Sequence, residues 1–197
     1  MKLSNKKLAN PFIYQGYESP EYFCDREAET KTLISHLKNG RNVTLISPRR
    51  IGKTGLIKNT FYHLEKDEKD SACLYLDIFA TKNLHDFVEQ FGVMVINDIV
   101  RKNTSFIEKT IAFFSALRPV LSMDPLTGEP SVSITIEPSQ EDITIRSIFN
   151  YLNESGKEVY IAIDEFQQPM DRKWNIGQRH LLQSCTRTIY FVSEIQE

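Results

Sequence analysis

Eight consecutive residues, Ser47-Pro48-Arg49-Arg50-Ile51-Gly52-Lys53-Thr54, stand between a short apolar run and a segment with helical spacing. That order of types suits the holding of phosphate. Successive backbone N–H groups can curl around an anion at a helix N-terminus, where the helix dipole also favours negative charge. Lys53 can bridge the β- and γ-phosphates of a nucleoside triphosphate, and the Thr54 hydroxyl can ligate Mg2+. Gly52 lets the backbone approach with no Cβ in the way, and Gly55 carries the loop into the helix. The pattern G-x-x-x-x-G-K-[ST] would put glycine at position 47, where this chain has serine; a positive φ there would be strained.

A bare G-K-[ST] arises by chance in about one chain in ten of this length. A second constellation narrows the reading. Ile161-Ala162-Ile163-Asp164-Glu165 is an apolar strand ending in two acids. An acid at such a strand end can hold the magnesium shell, and its neighbour can polarise an attacking water. Asp164 is then the metal residue and Glu165 the base.

The elements that must position these residues are legible around them. Val43-Thr44-Leu45-Ile46 reads as the strand entering the loop, and Leu56, Ile57, Phe61 and Leu64 give the following helix its apolar face. Asp25 reads as the N-cap of an earlier helix reaching Leu37, with Gly40 at its C-terminal end. Further strands are expected over Leu74–Phe79, Val159–Asp164 and Ile189–Ser193, and helices over Leu84–Val100, Ser105–Leu117 and Ile143–Leu152. Between Pro119 and Pro138, Val132, Ile134 and Ile136 alternate with polar residues beyond an Asp124-Pro125-Leu126-Thr127-Gly128 turn, which predicts an inserted β-hairpin. Short apolar strands alternating with helices predict an α/β fold with a parallel central sheet covered on both faces. Residues 1–24 are turn-rich yet aromatic, which predicts an ordered strap packed on the domain formed by residues 25–197.

The 197 residues suffice for one such domain, and 41% hydrophobic with 25% charged residues are ordinary globular values. A net charge of -2 gives no global case for nucleic acid or an anionic membrane. No run approaches the roughly 20 apolar residues that span a bilayer, and no apolar h-region follows the basic start, so a cytoplasmic location is expected. Cys24, Cys73 and Cys185 are far apart and odd in number, which predicts buried free thiols and neither a disulfide framework nor a metal site. The four histidines show no ligand spacing.

Tyr22-Phe23-Cys24-Asp25-Arg26-Glu27, the phosphate loop with its double arginine, and Ile163-Asp164-Glu165-Phe166-Gln167 together resemble the AAA+-type ATPase domains of the archaeal/prokaryotic ATPase family, close to the STAND signalling ATPases. The likeness runs from about Asn10 to Gln168. It implies a three-layer P-loop NTPase fold of the ASCE type, with another strand between the loop strand and the acidic strand. It implies Mg-ATP as ligand and a strap packed near the adenine, with Phe12, Tyr17, Phe23 and Arg26 as candidate contacts. Ser193 matches the position of a polar sensor of the γ-phosphate. Arg49 and Arg50 could serve phosphate charge or a neighbouring subunit in a nucleotide-dependent oligomer. After Gln168 the likeness weakens, and lid and effector modules are not recognised; Arg187 is the one nearby candidate for a trans-acting arginine. A truncated or frameshifted copy is one expectation from that change. The function implied is ATP hydrolysis driving a conformational switch in a protein or nucleic-acid partner; the alternative is a nucleotide-binding module with little or no hydrolysis.

Overall fold

Strand formers and helix formers alternate along this chain, and the runs Ser71–Asp77 and Glu158–Asp164 are too apolar to leave either face in water. The computed structural model describes residues 16–48, 50–102, 120–123, 130–137, 139–165 and 187–193. In chain order these form α1 (Glu27–Lys38), β1 (Val43–Ser47), α2 (Lys53–Asp67), β2 (Ser71–Asp77), α3 (Leu84–Lys102), β3 (Val120–Met123), β4 (Pro130–Ser133), α4 (Glu141–Glu154), β5 (Glu158–Asp164) and β6 (Arg187–Ser193). A single 3-10 turn, Pro20–Tyr22, precedes α1.

The central sheet is parallel, in the order β1-β6-β5-β2. The last strand in sequence therefore lies between the loop strand and the acidic strand, as the resemblance implied. Val43 to Ser47 pair with Ile189 to Ser193, and Ser71 to Asp77 pair with Glu158 to Asp164. All four strands thus bring their C-terminal ends to one edge, which is where open α/β sheets bind ligands.

Side-chain alternation divides the sheet between two helix layers. Val159, Ile161 and Ile163 with Leu74 and Leu76 pack against Phe87, Phe91 and Val95 of α3 and Ile145, Ile148 and Phe149 of α4. Tyr160 and Ala162, one step out of phase, pack with Leu37 of α1 and Ile57, Phe61 and Leu64 of α2.

Three local expectations change. Asp25 does not cap α1: it adopts φ 64, and Arg26 holds the N-cap position with no side-chain capping bond. A residue turned into the left-handed region cannot also present the extended backbone an N-cap needs. At the other end the expected Gly40 does act, with φ 69. Its N–H reaches Leu37 O at 2.9 Å while Arg41 N–H reaches His36 O at 3.0 Å, the two bonds of a Schellman turn. The predicted hairpin forms as β3 and β4, paired antiparallel from Val120–Ser133 to Met123–Pro130. Its alternation does not run on as strand, because Ile134 and Ile136 leave the ladder and enter the core at 1% and 2% exposure. Among the described residues neither thiol is fully buried: Cys24 is exposed and Cys73 half-buried. The helix expected at residues 105–117 lies outside the described residues, as do Phe12, Arg49, Cys185 and the segment 166–186. Among the described residues no helix is long and apolar enough to cross a membrane.

Candidate functional site

The loop after β1 turns at two places. Gly52, at the N-cap of α2, has φ 79, and Arg50 has φ 63. Left-handed backbone is free for glycine but strained for arginine. Ser47, where a positive φ would have been strained, ends β1 beside Ser193 and is not left-handed. The unusual backbone therefore falls on Arg50. The Ser47 hydroxyl oxygen is buried and has no hydrogen-bond partner.

Leu56 N–H makes the first bond of α2, to Gly52 O at 3.0 Å, so the amides of Lys53, Thr54 and Gly55 open the helix. The Lys53 ammonium donates to Ser47 O at 3.0 Å and to Pro48 O at 3.5 Å. It thus bridges the loop's own carbonyls.

Asp164 closes β5 and is 6% exposed. Sheet parity turns it toward α2 with Tyr160 and Ala162, which brings it to Thr54. The Thr54 hydroxyl donates to Asp164 Oδ2 at 3.1 Å across 110 residues of sequence. Tyr75 donates to the same oxygen at 2.6 Å from β2, and Glu165 N–H donates to Oδ1 at 2.9 Å. Burial, and then the bond to Asp164, pushes the Tyr75 phenol well above its ordinary range, so it remains a donor. Glu165 is half-buried and sits at φ 57, a strained conformation of the kind that collects at functional sites.

Gly16, Arg50, Gly52, Lys53, Thr54, Gly55, Phe79, Asp164 and Glu165 line one open cavity of about 390 Å³. The structure therefore joins the loop and the acidic strand end in a single pocket. Ser47 and Arg26 face elsewhere: with Leu33, Val43, Leu45 and Leu56 they line a largely apolar groove of about 400 Å³, which shares Lys53 with the first cavity. Arg26 donates to Ile51 O at 2.6 Å and so ties the chain before α1 to the loop. Pro48 and Ile51 are exposed on the loop. Phe23 packs on the first turn of α2, where a Cβ on Gly55 would come within 3.0 Å of its ring. Tyr17 meets Phe23 edge-on at 5.8 Å and donates to Asn59 Oδ1 at 3.1 Å. Residues 17–26 thus strap the helix that follows the loop. Ser193 lies level with Ser47 on the neighbouring strand; Arg49 is outside the described residues.

Sequence reading missed Tyr75, Phe79 and Gly16. Nothing in the run Leu74-Tyr75-Leu76 marks its tyrosine, because only the pairing of β2 with β5 puts it beside Asp164. Phe79, 64% exposed, is an aromatic at the cavity mouth just beyond a strand end.

The donors fit a hard divalent cation in partnership with phosphate. Among the described residues no cluster of three or more His, Cys, Asp or Glu could hold a metal. Mg2+, however, is commonly held by one or two carboxylates plus substrate phosphates, and here one hydroxyl and one carboxylate stand side by side.

The fold is shared with two solved ATP-related proteins. A Walker-type ATPase of Pyrococcus abyssi superposes with TM-score 0.56 at 15% identity, over 93% of this chain and 49% of that one. The ORC2 protein of Aeropyrum pernix, solved as ADPNP–ADP complexes, gives TM-score 0.50 at 14% identity, over 87% and 42%. The chain thus spans about half the length of these neighbours. No curated protein matches it significantly. Residues 23–192 match the family described as an ATPase domain predominantly from Archaea, which covers the strap end, the loop and both acids. The chain belongs to that family of P-loop ATPase domains.

Proposed function

We propose that the chain binds ATP with Mg2+ at the cavity between the loop and the end of β5, and hydrolyses it. The observation that carries this reading is the Thr54–Asp164 bond of 3.1 Å, which sets a potential metal-ligating hydroxyl against a buried carboxylate beside Lys53 and Glu165. The amides that open α2 and the Lys53 ammonium hold the phosphates, with the ammonium leaving the carbonyls of Ser47 and Pro48. Thr54 and Asp164 hold the cation, which when bound draws charge off the β- and γ-phosphates. Glu165 takes the proton of a water attacking the γ-phosphorus, so that ADP and phosphate are released. Ser193, at the strand end beside Ser47, senses the γ-phosphate. The apolar groove next to Lys53 has the lining a purine needs, and Arg26 and Phe23 of the strap border the nucleoside side.

Turnover in this reading drives a conformational switch in a protein or nucleic-acid partner in the cytoplasm. The β3–β4 hairpin is the partner-facing element, and Arg50 offers charge to phosphate or to a neighbouring subunit. The test is thermal melting with ATP and Mg2+, followed by phosphate release, on wild type, Lys53→Ala and Glu165→Gln. Wild type at 100 times its Kd gains about 2.7 kcal/mol of stability. Lys53→Ala loses that gain, and Glu165→Gln keeps it while phosphate release falls by at least about 100-fold. A wild type that melts identically with and without Mg-ATP would remove the proposal. Stabilisation with no phosphate release in any variant would leave binding and remove hydrolysis.

A further inference from the structure

We infer that Tyr75 is a positioning residue for the cation, fixing the Asp164 carboxylate in the orientation that a divalent metal needs. The inference rests on the nucleotide site proposed above and adds a residue from a strand that the loop and acid motifs do not contain. Tyr75 pairs with Ala162 in the sheet, so its side chain runs along β5 on the α2 face and ends at Asp164. Its hydroxyl makes the shortest of the three bonds to that carboxylate, 2.6 Å, against 3.1 Å from Thr54 and 2.9 Å from Glu165 N–H. The ring is held by packing on the Ile57, Phe61 and Leu64 cluster; the exposed-side Lys58 ammonium, 5.8 Å from its centroid, does not touch the hydroxyl.

The terminal torsion of an aspartate is broad; here Glu165 N–H holds Oδ1, and of the two donors that fix Oδ2 Tyr75 is the closer. The Thr54 hydroxyl can keep its proton on Oδ2 while a lone pair meets the metal, so it and Tyr75 anchor that oxygen together, Tyr75 by the shorter bond. Tyr75 holds Oδ2 from the β2 side while Glu165 N–H holds Oδ1, on a carboxylate that lines the cavity. Loss of the Tyr75 hydroxyl therefore weakens the hold on the cation and leaves phosphate binding by Lys53 and the helix amides intact.

The experiment is nucleotide binding, followed by a fluorescent ATP analogue, titrated with Mg2+ and repeated in EDTA. Tyr75→Phe raises the Mg2+ concentration at half-maximal binding by about tenfold and leaves the affinity in EDTA and the melting temperature without nucleotide near wild type. Lys58→Ala, which keeps the hydroxyl, leaves the Mg2+ midpoint unmoved. In an Asp164→Asn background, Tyr75→Phe adds no further shift, since both changes act on one contact. An unchanged midpoint in Tyr75→Phe, additive shifts in the double variant, or a parallel loss of EDTA binding and melting temperature would each overturn the inference. A wild type that binds no nucleotide fails at the earlier step and overturns the proposed site as well.

Discussion

The two faces of the central sheet are made of different chemistry. Under α3 and α4 the core is mainly aliphatic and aromatic, with Phe91 stacked on Phe87 at 5.8 Å and tilted on Phe149 at 5.4 Å. Under α1 and α2 the core is smaller and threaded with polar atoms. Tyr160 donates to Glu68 at 2.7 Å, Tyr75 to Asp164 at 2.6 Å, and Asn59 to Thr30 at 3.2 Å. The first arrangement is non-directional and serves stability; the second is directional and fixes positions. The side chains that bond Asp164 and the strap, those of Thr54, Tyr75 and Asn59, belong to the second face. The protein separates the layer that holds it together from the layer that aims its site.

That separation can be broken from either side. Phe91→Ala, on the apolar face, leaves a cavity among rings and costs about 3–5 kcal/mol. Chemical denaturation measures it, and the affinity of whatever folded protein remains for Mg-ATP stays at the wild-type value. A large fall in affinity alongside the lost stability would show the faces to be coupled. Asn59→Ala, on the polar face, has a smaller cost and a different signature. It strands the Tyr17 hydroxyl and loosens Thr30, at about 1–3 kcal/mol. Limited proteolysis then cuts within residues 16–24 sooner than elsewhere.

The smallest effect lies at the edge of the apolar face, where α3 meets α4. His85 Nδ1 stands 3.2 Å from Glu141 Oε1 on a partly exposed pair. Glu141's own N–H at the start of α4, and then His85, hold its carboxyl below the ordinary 4.5. A depressed carboxyl stabilises the fold above its unfolded value and loses that stabilisation as pH falls through the folded value. Melting from pH 7 into the acid range should therefore show Glu141→Gln less stable than wild type by under about 1 kcal/mol near neutrality, with the difference closing below pH 4.5.

Much of this was legible in the chain. The order of apolar strand, loop, Gly52-Lys53-Thr54 and amphipathic helix is local information, set by residue type at fixed spacing, and the structure keeps it with small changes of boundary. The acidic end of β5 was equally plain, as was the inserted hairpin. What local spacing cannot encode is which strands become neighbours. The resemblance implied a strand between the two motif strands, and the sheet order makes it β6; only the register of β2 on β5 puts Tyr75 two residues below Asp164 on the neighbouring strand. Only the folded loop puts a left-handed residue at Arg50 and turns Ser47 and Arg26 toward a different groove from Thr54. The sequence by itself determined the chemistry of phosphate binding, because that depends on one short segment. The tertiary structure decided what holds the carboxylate, because that depends on a register between strands 89 residues apart at the bonded pair.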